Sequence, residues 1–248
     1  MNRHRVFLAG ASGAVGRRLA PLLVGAGYEV VGTTRSREKA AVLEAQGVVP
    51  VVVDAFDGRG LASEMTAVRP ATVIHQLTDL PPGLDPGRLA EALARNARIR
   101  SEGTRNLVAA ALAAGARRLV AQSIAWAYAP GPRPYAEEAP LDLGAEGARA
   151  VTVQGVATLE RLVLGSPPLE GIVLRYGQLY GPGTGRETPV GDAPLHVDAA
   201  AHAALLAIEC AGLGVFNVAE DSGFVSIARA RRELGWDPTF RLERGQAG

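Results

Sequence analysis

The residues best suited to chemistry stand near the start of the chain, where three glycines recur within one short run. Gly10, Gly13 and Gly16 belong to the run Gly10-Ala11-Ser12-Gly13-Ala14-Val15-Gly16. Glycines at this spacing allow a tight turn and a close approach of the backbone to a pyrophosphate, and a helix that follows offers unpaired N–H groups to it. We therefore predict a dinucleotide site contacted by Gly10, Ser12, Gly13, Ala14, Val15 and Gly16.

The end of the second predicted strand indicates which dinucleotide is bound. Gly32 is followed by Thr33-Thr34-Arg35-Ser36-Arg37, with no carboxylate at the place where an acid would bind the ribose hydroxyls of NAD. An arginine there can pair with a 2′-phosphate through charge-assisted hydrogen bonds. The sequence predicts NADP(H), bound through Thr34 and Arg35, with Arg37 or Lys39 as further cations. Alternatively, these basic side chains belong to the solvent-exposed start of the next helix and bind no phosphate.

Further cofactor contacts are expected where other strands end, because ligands of open parallel sheets bind beyond the carboxyl ends of the strands. Asp54 could accept a hydrogen bond from an adenine amino group, or it could be a plain turn residue. His75 could border the nicotinamide or be a buried strand histidine. The full predicted set after the third to sixth strands is Asp54, Ala55, Gln76, Leu77, Thr78, Gln122, Ser123 and Tyr176.

The elements that must position these residues follow from alternating short apolar runs and longer helical patterns. The predicted strands are 5–9, 29–33, 49–53, 71–75, 118–122 and 171–175, and the predicted helices are 13–24, 37–45, 147–164 and one within 89–114. Such alternation predicts an α/β fold, a Rossmann-type doubly wound parallel sheet. We expect a single domain, 1–248, with an NADP-binding core of about 1–165 plus 170–176. A small, reduced C-terminal substrate-binding region is expected at about 177–248.

Composition narrows the class of partner. The chain has 248 residues, with 26 basic and 25 acidic side chains and a net charge of +1, so nucleic acid is not the expected partner. No apolar run approaches the roughly 20 residues that span a bilayer. The one cysteine excludes an internal disulfide, and His196 and His202 lie off the spacing of a helical zinc pair. We expect a cytoplasmic monomer or homodimer without a metal site or a membrane segment.

Several later motifs occur in an order that resembles a known family. They are Gly-Thr-Arg-Asn-Leu at 103–107, Tyr-Gly-Pro-Gly at 180–183, His-Val-Asp at 196–198 and Glu-Leu-Gly-Trp-Asp-Pro at 233–238. With the glycine loop, they resemble the extended short-chain dehydrogenase/reductase family, the relatives of nucleotide-sugar epimerases and dehydratases. The resemblance runs almost end to end and implies nicotinamide-dependent chemistry in the crevice.

One departure from this family concerns the proton donor. The family uses a serine or threonine followed by Tyr-x-x-x-Lys on a helix, whereas Lys39 is the only lysine in this chain. Alignment of the helix by its glutamate, Glu160, puts Thr152 at the tyrosine position and Val156 at the lysine position. Ser123 stands at the family's serine, or one residue before it if Ile124 takes that place.

Other groups could then provide the proton. The candidates are Ser123 relaying a proton from water, a tyrosine such as Tyr180 or Tyr176, or the substrate itself, if its ketone is conjugated with a phenol. Tyr128 and Tyr135 are further choices, and for each tyrosine a structural role is the alternative. Trp126 could wall an aromatic substrate or pack in the core.

The sequence therefore predicts an NADP(H)-dependent oxidoreductase that reduces a ketone or other carbonyl on a small or polycyclic molecule, for which an aromatic polyketide-like compound is one option. A nucleotide-sugar epimerase or dehydratase is one alternative, made less favourable by the short C-terminal region. A non-catalytic NADP-binding sensor is the other. The Pro- and Gly-rich segment 129–144 could act as a lid or be a passive loop, and Asn96, Arg98 and Arg100 are expected to be solvated or salt-bridged.

Overall fold

A computed structural model describes residues 4–80 and 86–242 of the protein. The strands are β1 (Arg5–Ala9), β2 (Glu29–Thr34), β3 (Val49–Val52), β4 (Thr72–His75), β5 (Arg118–Ile124), β6 (Glu170–Tyr176), β7 (Gln178–Tyr180), β8 (Pro194–His196) and β9 (Gly214–Val218). The helices are α1 (Ala14–Gly25), α2 (Arg37–Ala45), α3 (Gly58–Val68), α4 (Leu89–Arg98), α5 (Thr104–Ala113), α6 (Gly147–Leu164) and α7 (Val197–Leu206).

Seven strands form one parallel sheet in the order β3-β2-β1-β4-β5-β6-β9, and β7 pairs with β8 in a second small sheet. The chain builds outward from β1 to β3 and then returns to place β4 on the other side of β1. This reversal opens a crevice above the carboxyl ends of β1 and β4. The predicted Rossmann-type doubly wound parallel sheet is confirmed.

The two faces of the sheet bury separate apolar clusters, as a parallel sheet with helices on both sides requires. Along β1, Val6 and Leu8 point into the cluster that includes α1 and α7. Phe7 and Ala9 point the other way, into the cluster that includes α3, α5 and α6. The strands are thus fixed from both sides, which makes the loops at their carboxyl ends a rigid frame for a ligand.

The structure differs from the predicted elements in the helical pattern at 89–114 and in the C-terminal part of the chain. The helical pattern at 89–114 is interrupted: α4 and α5 are separated by a π-helical turn, Ile99–Gly103. Helix α7 and strand β9 were not predicted, because α7 is almost entirely buried and has no polar face for periodicity to reveal. Strand β9 pairs with β6, so part of the region expected to be substrate-binding completes the main sheet.

The described part of the chain holds no helix that is both long and apolar enough to cross a membrane. Within the same residues, no three histidine, cysteine, aspartate or glutamate side chains come together in a way that could hold a metal ion.

Candidate cofactor and substrate site

A cavity of about 830 Å³ lies above the carboxyl ends of the central strands. It is lined by loop residues that follow β1, β2, β3 and β4 and by the last residues of β5 and β6. Fourteen of the residues predicted from the sequence are brought together in its wall: Gly10, Ser12, Gly13, Ala14, Thr34, Arg35, Asp54, Ala55, Gln76, Leu77, Thr78, Gln122, Ser123 and Tyr176.

The glycine loop has the geometry of an anion cradle. Gly10 has a φ of +87°, and a Cβ on it would lie 2.8 Å from the backbone of Gln76, so only glycine fits there. Helix α1 begins after Gly13 with no side-chain cap and no acid in its first turn, which leaves its N–H groups available for a diphosphate. Val15 and Gly16 do not line the cavity. Val15 is buried in the core, and Gly16 lets α1 pack against the carbonyl of Gly10.

Polar side chains at the ends of β2 and β3 line the adjoining part of the cavity. Thr34 accepts a hydrogen bond from Ser12 Oγ at 3.2 Å, which ties the end of β2 to the glycine loop. Arg35 is more than half exposed and makes one ion pair, at 3.3 Å, with Asp79. Asp54 Oδ1 accepts from Phe56 N, so it stabilises a turn while it also lines the cavity.

Two polar side chains face the cavity from β4 and β6 with a fixed direction of hydrogen bonding. Tyr176 donates its one hydroxyl proton to Ala200 O at 3.1 Å, so Gln76 must donate through Nε2 to the phenol oxygen at 3.3 Å. Gln76 Oε1 is consequently left without a donor among the described residues. Burial raises the pKa of Tyr176 above its ordinary value. Tyr176 is therefore a poor proton donor to a substrate.

His75 is fully buried beneath the cavity. Its Nδ1 accepts from Leu77 N, so its Nε2 proton is directed to the hydroxyl of Thr104 at 3.0 Å. Burial, and then the positive charge of Arg100, lower the pKa of His75 to about 4. At neutral pH the ring is uncharged and structural.

Ser123 belongs to a buried polar network formed by β5, α6 and β6. Its hydroxyl donates to Glu160 Oε1 at 2.8 Å, and Arg175 donates to both carboxylate oxygens at 2.9 and 2.7 Å. Burial alone would lower the pKa of Arg175, but the hydrogen bonds and ion pair with Glu160 raise it. The proton of Ser123 is thus held by Glu160 and is not directed into the cavity.

The other candidate tyrosines lie outside the cavity wall and contact other parts of the protein. Tyr180 does not line the cavity: its hydroxyl donates to Glu220 at 2.7 Å and accepts from Arg241 at 3.0 Å. Burial, and then the hydrogen bond to Glu220, raise its pKa. The structure therefore does not bring Tyr180 together with Ser123. Tyr128 and Tyr135 stack on each other at 5.1 Å.

The segment 129–144 is anchored, and none of its residues lines the cavity. Tyr135 N donates to Phe224 O, and Glu137 accepts from Asn217 N on β9. Of the two alternatives that its composition left open, a lid and a passive loop, this placement favours the passive loop.

Thr152 and Val156, which the sequence predicts at the family's tyrosine and lysine positions, both lie on α6. Thr152 donates its hydroxyl to Ala148 O in its own helix at 3.3 Å. Val156 is fully buried in an apolar cluster with Ile124 and Val153, against which Trp126 packs. Ile124 and Trp126 also line the cavity, so this part of the wall is apolar.

Several cavity residues, among them Arg100, were not predicted from the sequence. Asn96 and Arg100 are 2% and 8% exposed, which corrects the expectation that both would be solvated or salt-bridged, whereas Arg98 does form a salt bridge, with Glu102. The signal was present, because Ala92, Asn96 and Arg100 follow the i, i+4 spacing of one helix face, whereas Arg98 lies on another. Other cavity residues that the sequence did not single out include Arg17, Asp79, Arg95, Leu179 and Arg186.

The sequence profile of the NAD dependent epimerase/dehydratase family matches residues 6–215, most of the chain. The chain belongs to this family. The match extends from β1 into β9, so it includes the glycine loop, the central strands and α6.

Two curated relatives and one solved structure illustrate the range of the family. The chain is 44% identical over 244 residues to a 3-diazoavenalumate denitrifying reductase of a Streptomyces species, covering 88% of this chain and 76% of that one. It is 31% identical over 181 residues to a dTDP-4-dehydrorhamnose reductase of Streptomyces griseus, covering 73% of this chain and 52% of that one. The UDP-glucose 4-epimerase of Thermus thermophilus in complex with NAD superposes with a TM-score of 0.74 at 20% identity, covering 98% and 96% of the two chains.

Proposed function

We propose that the protein is an NADPH-dependent reductase that reduces a small aromatic electrophile and supplies no proton of its own. The observation that carries this proposal is that hydroxyl groups in the cavity wall donate their protons to acceptors of the protein itself. Ser123 donates to Glu160 and Tyr176 donates to Ala200. Thr152 and Val156 are the residues that the sequence alignment predicts at the family's tyrosine and lysine positions. The site favours a reaction that needs hydride without a protein acid.

The cofactor part of the proposal is supported by the fit of the chain to a phosphorylated dinucleotide. The glycine loop and the uncapped start of α1 would hold the diphosphate. Arg35 would pair with a 2′-phosphate, and no acid replaces it at the end of β2. A nicotinamide cofactor supplies hydride, and the protein supplies orientation and electrostatics.

Reductive loss of a diazo group is a reaction of the required kind. When hydride reaches an aryl carbon that carries a diazonium group, a C–H bond forms, the C–N bond breaks, and dinitrogen leaves with the bonding electrons. No proton is consumed, even when a phenolate is conjugated with the diazonium group. The similarity to the Streptomyces relative, which is named as a denitrifying reductase of a diazo compound, favours the same reaction here.

The protein would contribute binding and exclusion of water rather than acid–base groups. Ile124, Trp126 and Leu179 give the cavity apolar walls against which a flat aromatic substrate could stack. The neutral His75 and the buried Ser123–Glu160 hydrogen bond beneath the cavity keep the floor rigid.

Carbonyl reduction is the second candidate, favoured by Ser123 in the wall and by the similarity to a dTDP-4-dehydrorhamnose reductase. This reaction consumes a proton as well as hydride. The Ser123 hydroxyl would have to break its hydrogen bond to Glu160 and donate to the substrate, or a phenol on the substrate would have to stabilise the alkoxide. Loss of a general acid lowers rates by about 10²–10⁴, so carbonyl reduction would be feasible but slower.

Oxidation of NADPH at 340 nm, with a panel of phenolic diazo compounds and phenolic ketones, tests the proposal. We expect turnover with a diazo compound labelled with ¹⁵N and release of labelled dinitrogen, detected by mass spectrometry. We also expect Ser123→Ala to keep most of this activity and to lose more on ketones. The variant Tyr180→Phe, outside the cavity, is the matched control.

Three results would contradict the proposal or replace it. Tight NADPH binding without turnover on the whole panel would favour a sensor. Turnover on ketones alone would leave the carbonyl reductase. Interconversion of a nucleotide-sugar with no net loss of NADPH would favour the epimerase.

A further inference from the structure

Arg100 is a buried cation that has no hydrogen-bond or ion-pair partner among the residues that the structure describes. It lies on the π-helical turn between α4 and α5, is 8% exposed and lines the cavity. Its guanidinium donates no hydrogen bond to, and makes no ion pair with, any residue in the parts of the chain that the structure describes. A buried arginine normally finds such partners, because an unpaired buried charge costs free energy.

Nearby groups do not supply the missing partner. Burial lowers the pKa of Arg100 to about 10, against the opposing effect of Glu160, so the guanidinium stays charged at neutral pH. Glu160 is itself paired with Arg175, and His75 is neutral. Glu160, Arg175 and Arg100 together therefore carry one net positive charge at the floor of the cavity.

The position of Arg100 separates it from the groups expected to hold the cofactor phosphates. The glycine loop follows β1 and Arg35 follows β2. Arg100 packs instead against α6, where a Cβ on Gly155 would lie 3.5 Å from its Cδ, and its charge acts on His75 at the end of β4. In the sheet order this is the opposite side of the crevice from β2 and β3.

We propose that Arg100 is an anion subsite that binds the carboxylate of the substrate. A carboxylate would accept the guanidinium hydrogen bonds in a fork geometry and would neutralise the excess charge. This inference rests on the proposed function, since it names the substrate class of the same cavity: a small aromatic carboxylate with a reducible group. The subsite would also fix which ring carbon faces the cofactor.

Binding measurements test this subsite without requiring turnover. The probes are 4-hydroxycinnamate and its neutral amide, titrated calorimetrically at pH 7 into protein saturated with NADP⁺. We expect the carboxylate to bind at least tenfold tighter than the amide, because hydrogen bonds to charged groups are worth about 10- to 100-fold in affinity. In Arg100→Gln the carboxylate should lose at least tenfold while the amide changes little.

Two further variants make the test specific. Arg95→Gln removes another cavity arginine, but one already paired with Asp79 and Glu91, so the carboxylate preference should remain. Arg100→Lys keeps the charge and should keep part of the preference, which also serves if Arg100→Gln does not fold.

An equal affinity for both probes in the native protein would overturn the proposal. So would an unchanged affinity ratio in Arg100→Gln, or a loss of NADP⁺ binding with the ratio intact, since the cation would then serve the cofactor. Failure of diazo reduction, with the carboxylate preference intact, would count against the proposed reaction and not against the subsite.

Discussion

Replacement of Glu160 by glutamine tests the buried network beneath the cavity. Glu160 is 5% exposed and accepts hydrogen bonds from Ser123 at 2.8 Å and from Arg175 at 2.9 and 2.7 Å. Glutamine keeps the shape but removes the charge, so Arg175 would become a buried cation without a counter-ion. Removing one partner of a buried ion pair costs about 3–5 kcal/mol.

The assay is equilibrium unfolding in urea, followed by circular dichroism. We expect Glu160→Gln to lower the free energy of unfolding by about 3–5 kcal/mol, or Tm by about 6–20 °C at the usual 2–4 °C per kcal/mol for this size. Glu102→Gln is the matched control, because Glu102 also pairs with an arginine through two hydrogen bonds but on the surface. That variant should be nearly as stable as the native protein.

A second substitution tests whether the unpaired Arg175 causes this loss of stability. If the unpaired cation accounts for the loss, Arg175→Met should destabilise the Glu160→Gln background less than it destabilises the native protein. A loss below about 1 kcal/mol in Glu160→Gln, far under the range for a broken buried pair, would refute this reasoning. Simple additivity of the two substitutions would refute it as well.

Three further predictions concern the cofactor and pH. Gly10→Ala should abolish NADPH binding in a fluorescence titration, because its Cβ would clash with backbone at a φ of +87°, whereas Gly25→Ala, with open space around it, should bind normally. Arg35→Ala should reduce the preference for NADPH over NADH by about 10- to 100-fold, and Arg88→Ala, outside the cavity, should keep it; an unchanged ratio in Arg35→Ala would contradict our account of that position. The pKa of His75 falls from 6.5 to about 4 on folding, so the unfolded chain binds the extra proton between these pH values. Stability from His75 should be complete above about pH 6.5 and lost as the pH falls towards 4, by on the order of 3 kcal/mol; urea unfolding of His75→Asn should show a smaller loss over this window, and an identical pH profile would count against the shift.

The central fold could be predicted because its signals are local. The helices at 37–45 and 147–164 begin and end where periodicity placed them, and the strand before the glycine loop is as expected. The residues that line the cavity could be predicted from one topological rule, because loops at the carboxyl ends of parallel strands meet at one edge of the sheet. In these elements the local sequence pattern and the folded structure agree.

The remaining features depend on contacts between distant parts of the chain. Whether Tyr180 faces the cavity is decided by Glu220 and Arg241, which stand 40 and 61 positions later. The proton of Ser123 is directed by Glu160 on a helix that the sequence placed correctly but could not orient. The burial of Arg100 could have been predicted from the helix face that it shares with Ala92 and Asn96, but its place in the cavity wall depends on the π-helical turn at 99–103 and on the packing of α6.

Isotope transfer tests the central claim most directly: that the protein moves hydride from a nicotinamide to its substrate without a proton from its own groups. The measurement is single-turnover reaction of a phenolic diazo carboxylate with [4,4-²H₂]NADPH in H₂O, and with unlabelled NADPH in D₂O. We predict one deuterium on the ring carbon that loses dinitrogen in the first experiment and none on that carbon in the second. Deuterium arriving from solvent, or a product that keeps its nitrogen, would contradict the account.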